Sequence, residues 1–164
     1  MDTWIDEELS TLDLHDARRV HRAKQMMQDM SDRPTGSIPR TFENASEAKA
    51  AYRFLSNPDV DPEAIREAVI DACVGRLGKE KRVFVVQDTT SLDFSTHKAT
   101  DGLGPLGGGD GSAGYGLFVH SAIAVSEDGI PLGLLHQKTW ARDPKAVGSA
   151  KVRKETPLES KESF

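Results

Sequence analysis

The stretch from Val83 to Asp93 constrains the fold more than any other part of this 164-residue chain. It begins with Val-Phe-Val-Val, and three of these four apolar residues are β-branched, which favours a strand buried on both faces. Asp88 follows this run, where such a strand is expected to end and meet solvent. A carboxylate held there suits Mg²⁺, which requires oxygen ligands in near-octahedral positions. One carboxylate is not a metal site, and an aspartate that caps the following turn is the alternative interpretation.

Two more strands are predicted after this stretch. Residues 117–125 and 130–142 are apolar runs rich in β-formers, and the Asp-Gly pair at residues 128–129 between them is a strong hairpin signal. Residues 101–116 contain eight glycines. Because this segment leads into a strand and not into a helix, it does not fit a phosphate-binding loop. We interpret it as a flexible loop near the active edge of the sheet.

Three amphipathic helices are predicted in the first 80 residues. The first covers about residues 13–30, where apolar residues recur at helical spacing. Prolines in residues 31–40 indicate a non-helical connection. The second helix starts at the cap Asn44 with Glu47 reaching back to it, and the third starts at Asp61 with Pro62 in its first turn. An apolar stripe on the second helix comprises Ala48, Ala51, Tyr52 and Leu55. Such helices bury their apolar faces by packing as a small bundle.

Eight basic residues of this helical region are candidate contacts for DNA phosphates. Half of them crowd a short segment of the first helix with no acid between them, and the others lie in the connection and on the second helix. The candidates are Arg18, Arg19, Arg22, Lys24, Arg33, Arg40, Lys49 and Arg53. An ordinary solvated helix surface is the alternative interpretation. The formal net charge of -5 argues mildly against a nucleic-acid-binding protein.

Several function classes are disfavoured by composition. The single cysteine, Cys73, excludes a disulfide framework and a cysteine-based zinc cluster within one chain, and we expect it to be buried in a helix. His97, His120 and His136 lack the close spacing of a zinc pair, so we interpret them as structural residues. The sequence shows no secretory signal and no apolar run approaching the ~20 residues of a membrane span. We expect a cytoplasmic protein that makes no contact with membranes.

Seven short blocks carry a resemblance to a known family. Two lie in the helical region, at residues 16–19 (Asp-Ala-Arg-Arg) and 48–58 (Ala-Lys-Ala-Ala-Tyr-Arg-Phe-Leu-Ser-Asn-Pro). The others are residues 86–95, 102–107, 119–121, 131–135 and 140–142. Together these blocks resemble the IS4-type transposases of the Tn5-like group. The resemblance runs from about residue 13 to the last residue, and its specificity comes from separate blocks in the same order.

The resemblance implies an α+β architecture. A helical DNA-binding domain, residues 1–80, would precede the first three strands of a ribonuclease H-like catalytic domain, residues 81–164, with an antiparallel hairpin. Asp88 matches the first of three carboxylates that hold two Mg²⁺ or Mn²⁺ ions in DDE transposases, which cut and paste DNA by strand cleavage and strand transfer. Double-stranded DNA at the transposon ends is the implied partner, with self-association on DNA as a further expectation.

The catalytic domain is expected to be incomplete within this chain. The second aspartate and the glutamate of the family are expected beyond residue 164. Since a two-metal site acts through positioned charge, we expect the chain alone not to cleave DNA. A non-catalytic module that binds transposon ends and a decayed transposase remnant are the alternatives to a transposase.

Overall fold

The computed structural model describes residues 3–34, 37–97, 99–107 and 114–144. Within them, helices precede an antiparallel sheet, which confirms the predicted α+β class and is consistent with a partial ribonuclease H-like fold. The helices are α1 (Thr3–Glu8), α2 (Ala17–Asp32), α3 (Ile38–Thr41), α4 (Ala45–Leu55) and α5 (Pro62–Leu77). The strands are β1 (Val83–Asp93), β2 (Gly104–Pro105), β3 (Tyr115–Ser126) and β4 (Pro131–Trp140).

Side-chain caps fix the starts of the three long helices. The carboxylate of Asp16 accepts a hydrogen bond from the N–H of Arg18 at 2.9 Å, so α2 begins at residue 17. Asn44 accepts from two N–H groups at the start of α4, each at 3.0 Å, and Asp61 accepts from one at the start of α5, at 2.9 Å. These bonds satisfy backbone donors that lack partners inside the helix. The caps predicted at Asn44 and Asp61 are confirmed.

Two short helices are absent from the sequence-based prediction. One is α1, in the acidic first residues. The other is α3, whose first turn contains Pro39, so the prediction of a non-helical connection is wrong at its end. Proline fits this position because the N–H groups of a first turn have no intrahelical partner.

Helices α2, α4 and α5 share one apolar core, in agreement with the predicted bundle, and Ile38 of α3 packs against it. Ala48, Ala51 and Phe54 of α4 face this core, and Cys73 of α5 is fully buried, as predicted. The predicted apolar stripe of α4 is wrong at Tyr52, which is 50% exposed. It is wrong also at Leu55, because Phe54 takes the inward position that follows Ala48 and Ala51 at a spacing of three.

Contacts within the chain divide it into two compact units. The first comprises the described residues up to Val83 and the hairpin turn Ser126–Gly133, and the second comprises Phe84–Val125 and the described residues from Leu134 onward. Arg76 connects three segments of the first unit. Its guanidinium donates to both carboxylate oxygens of Glu8, at 2.7 and 3.2 Å, and to the carbonyl oxygen of Leu132 at 2.5 Å.

β3 is the central strand of the sheet. β1 and β4 pair with it, and β2 pairs antiparallel with its start, where Gly104 lies opposite Gly116. The predicted turn between β3 and β4 is confirmed. Gly129 has a φ of 80°, which favours glycine, and its N–H donates to the carbonyl oxygen of Ser126 at 3.0 Å.

β1 departs from the prediction in burial and in length. Phe84 and Val86 are 54% and 55% exposed, so the prediction of a strand buried on both faces is wrong. Apolar composition favours burial, but burial needs a covering element, and β1 is the terminal strand of the described sheet. The strand also continues to Asp93, which places Asp88 in its middle. The alternative interpretation of Asp88 as a turn cap is therefore wrong, and Asp93 instead accepts from the N–H of Ser95 at 2.8 Å.

Candidate nucleic-acid interface

Five of the eight basic candidates are ion-paired within the helical unit. The pairs on α2 involve carboxylates from the amino-terminal segments, from α4 and from the loop that follows α4. The pairs are Arg18 with Asp16 at 2.9 Å, Arg19 with Asp59, Arg22 with Glu47 at 2.8 Å, Lys24 with Asp6 at 2.8 Å, and Arg33 with Asp29 at 3.7 Å and Glu43 at 3.4 Å. The basic patch predicted on α2 is thus largely neutralised by the protein itself.

In two of these pairs, the contacts with the cation stabilise the ionised form of the carboxylate. Hydrogen bonds from the side chain and the backbone N–H of Arg18 lower the pKa of Asp16 to about 2. The hydrogen bond from Lys24 lowers the pKa of Asp6. Both carboxylates are therefore ionised at neutral pH and offset the cations beside them. A phosphate that binds these cations must displace a carboxylate or share its partner.

Glu47 differs in detail from the prediction. Its carboxylate accepts a hydrogen bond from Arg22 at 2.8 Å, on the neighbouring helix. The sequence pattern predicts that Glu47 reaches back to Asn44, but no such bond is among those of the described residues. The ion pair joins α2 to α4 and holds Arg22 against the body of the unit.

Arg40, Lys49 and Arg53 are the basic candidates that remain. All three side chains are exposed, and none forms an ion pair or a side-chain hydrogen bond within the part of the chain that the structure describes. Arg40 lies on α3, and Lys49 and Arg53 lie one turn apart on α4. We call these three residues the α3–α4 cations. Their charge is fully available to an external anion.

An open groove of about 540 Å³ has one of these cations, Lys49, in its lining. Its lining includes buried Phe42 and Ala48 together with exposed Lys49 and Tyr52. Sequence reasoning missed Tyr52 as a surface residue because it assigned the side chain to the apolar stripe. Its position between Lys49 and Arg53 is a signal of an aromatic residue within a basic surface.

A second groove, of about 490 Å³, has the opposite character. It lies between α2 and α4, and three carboxylates contribute to its lining, those of Asp29, Glu43 and Glu47. These acids repel phosphate groups. The groove between α3 and α4 shares Glu43 with this one, but it has one carboxylate in its lining and also the cation of Lys49, so its charge suits nucleic acid better.

Asp88 has fewer polar contacts than the ion-paired residues of the helical unit. Its side chain is exposed on β1 and makes no hydrogen bond or ion pair with the described residues. Those residues also contain no group of three His, Cys, Asp or Glu side chains that could hold a metal ion. The donor set around Asp88 therefore does not fit a metal ion without carboxylates from elsewhere.

His120 has an environment that is consistent with the predicted structural role. It is buried on β3, and its Nδ1 lies 2.8 Å from the hydroxyl oxygen of Thr89 on β1. The contact joins the two strands and gives the imidazole a polar partner.

Among the described helices, none is long and apolar enough to cross a membrane.

Residues 1–60 match the family model described as transposase DNA-binding. The matched region contains α1 to α4 and all eight basic candidates. The match supports a transposase that binds DNA. It ends before α5 and the sheet, and so it bears on DNA binding and not on catalysis.

Proposed function

We propose that this chain is part of a cut-and-paste transposase of the IS4 type, in the Tn5-like group. Its helical unit binds double-stranded DNA at the transposon ends, and Asp88 is the first of three catalytic carboxylates. The observation that carries the DNA-binding part is the presence of the α3–α4 cations, exposed and unpaired, inside the region that matches transposase DNA-binding domains.

The α3–α4 cations are proposed as the main phosphate contacts. The cations of α2 and the segment after it already have carboxylate partners, whereas Arg40, Lys49 and Arg53 have none within the described ranges. Binding a phosphate at an unpaired cation releases counterions from DNA without breaking an ion pair in the protein. The ion-paired cations contribute only to the overall electrostatic potential of the surface.

The catalytic part of the proposal rests on the resemblance around Asp88. Mg²⁺ or Mn²⁺, held with two further carboxylates, would supply Lewis-acid activation for strand cleavage and transfer. Asp88 itself would provide one oxygen donor from a strand, which is a rigid element. Because the described residues contain no group of three metal-ligating side chains, we expect no cleavage by this chain alone.

A non-catalytic module that binds transposon ends is the second candidate. The lack of a three-ligand group in the described ranges favours it, since DNA binding needs only the helical unit. Sequencing the gene beyond codon 164 separates the two. A further strand that ends in aspartate and a later helix that bears glutamate support the transposase, and a stop codon supports the module or a decayed remnant.

DNA binding is tested by fluorescence anisotropy at low salt with transposon-end duplexes. We expect Lys49→Gln with Arg53→Gln to weaken binding roughly tenfold at all sequences alike, as loss of phosphate contacts does. Arg18→Gln with Lys24→Gln is the matched control, since it removes the same charge from ion-paired positions, and we expect a smaller effect. Failure of the unaltered chain to bind any DNA would overturn both candidate functions.

A further inference from the structure

Tyr52 is an aromatic side chain on the open side of α4. It is half exposed, although its neighbours Ala51 and Phe54 are buried. Within the described ranges its ring and hydroxyl make no ring contact or hydrogen bond. Large aromatic side chains contribute strongly to binding when a ligand buries them. The exposed ring of Tyr52 therefore provides apolar surface that a ligand can bury.

The surroundings of Tyr52 carry complementary charge. Lys49 lies one turn before it and Arg53 directly after it, and both cations lack an ion-pair partner among the described residues. Glu43 also lines the groove. Its carboxylate repels phosphate, so a bound nucleotide places its phosphates towards Lys49 and Arg53 and an uncharged group in the groove.

Apolar residues make up about half of the groove lining. Phe42 and Ala48 are buried, whereas Pro39 and Ala45 are exposed, so the apolar area open to a ligand comes from Pro39, Ala45 and the ring of Tyr52. The volume of about 540 Å³ falls within the range of roughly 300–1,000 Å³ that is common for small-ligand sites. An uncharged group the size of a nucleobase suits this volume and this lining better than a charged phosphate does.

We propose that the groove between α3 and α4 binds an unpaired nucleobase of DNA, stacked on the ring of Tyr52, with the adjoining phosphates at Lys49 and Arg53. This inference rests on the proposed DNA-binding function. It adds that the protein distinguishes DNA with an accessible base from a fully paired duplex. Aromatic rings with flanking cations are the usual platform for unpaired bases.

The experiment compares a blunt duplex with the same duplex carrying a short single-stranded tail. The tail contains 2-aminopurine, whose fluorescence is quenched when the base stacks. We expect the unaltered chain to bind the tailed DNA more tightly and to quench the probe. Tyr52→Ala should lose roughly 5- to 100-fold in affinity for tailed DNA, together with the quenching, and little for blunt DNA.

Two variants separate stacking from other effects. Tyr52→Phe keeps the ring and should retain both affinity and quenching. Leu55→Ala removes another exposed apolar side chain from α4 and should change neither. Thermal unfolding of each variant shows whether the fold is kept.

The outcomes distinguish this inference from the function on which it rests. Equal binding of blunt and tailed DNA, equal losses on both DNAs in Tyr52→Ala, or unchanged binding in that variant would overturn the groove as a base site. The last result is expected if a protein or a small molecule occupies it. Absence of binding to either DNA would overturn the DNA-binding function as well.

Discussion

At Asp88, the proposed catalytic role can be tested apart from any contribution of the side chain to stability. The carboxylate is exposed and makes no hydrogen bond with the described residues, so Asp88→Ala should change the free energy of unfolding by no more than ~0.5 kcal/mol. Thr89→Val is the matched control on the same strand. It removes the contact between the Thr89 hydroxyl and buried His120, which should cost about 1–2 kcal/mol. Thermal unfolding followed by circular dichroism measures both. Equal losses would show that Asp88 has a structural role instead.

Asp16 gives stability a defined dependence on pH. Its pKa is about 2 in the folded protein, below the value of about 3.9 for an unfolded aspartate. The contribution of its charge is therefore complete above about pH 4 and is lost as the pH falls towards 2. Asp16→Asn keeps a helix-capping side chain but does not titrate. We expect its urea midpoint to fall less than that of the unaltered chain between about pH 4 and pH 2, and equal falls would contradict the assignment.

At the scale of elements, the sequence correctly predicted the features that depend on interactions between residues close together in the chain. The caps Asn44 and Asp61 and the turn at Gly129 depend on residues within four positions of each other, and all three appear as expected. The ion pairs that neutralise α2 join residues 25 and 40 positions apart, Arg22 with Glu47 and Arg19 with Asp59. No local pattern encodes such pairs, and the predicted α2 patch therefore overstated the free charge.

Exposure was the least predictable property of the elements. The apolar run of β1 predicts burial, but burial depends on what covers the strand, and this is a property of the tertiary structure. On α4, either Phe54 or Leu55 could complete an apolar stripe after Ala48 and Ala51. The choice of Phe54 turns Tyr52 to solvent. This choice converts an expected core residue into the centre of the candidate base site.

The contact between α5 and the start of β4 requires glycine at position 133. Gly133 has a φ of +138°, and a Cβ there would lie 2.7 Å from Nη2 of Arg76 and 3.0 Å from Cβ of Cys73. We expect Gly133→Ala to lower the free energy of unfolding by about 2 kcal/mol. Gly75→Ala is the control, because that position in α5 has open space and alanine is the better helix former. It should raise stability by about 1 kcal/mol in the same denaturant titration. A neutral Gly133→Ala would contradict the close approach.

At the scale of the whole molecule, a net charge of -5 is compatible with a DNA-binding function. The reason is that paired and unpaired cations lie on different helices. Acids form ion pairs with the cations of α2, whereas the α3–α4 cations form none with the described residues. The protein therefore presents a small basic surface, despite its acidic total. Affinity from such a surface depends on few phosphate contacts.

The number of those contacts sets the salt dependence of binding. Each neutralised phosphate contributes a slope of about -0.9 to a plot of log affinity against log salt. Three contacts, from Arg40, Lys49 and Arg53, give a slope of about -2.7, so affinity should fall about 40-fold between 50 and 200 mM salt. Contacts from all eight basic candidates would instead give a slope of about -7 and a fall of more than ten-thousandfold. Anisotropy titrations across this range measure the slope. Lys49→Gln should make it shallower by about 0.9, whereas Lys24→Gln, which removes an ion-paired charge, should leave it nearly unchanged. A slope near -7, or equal changes in the two variants, would assign α2 to the DNA surface.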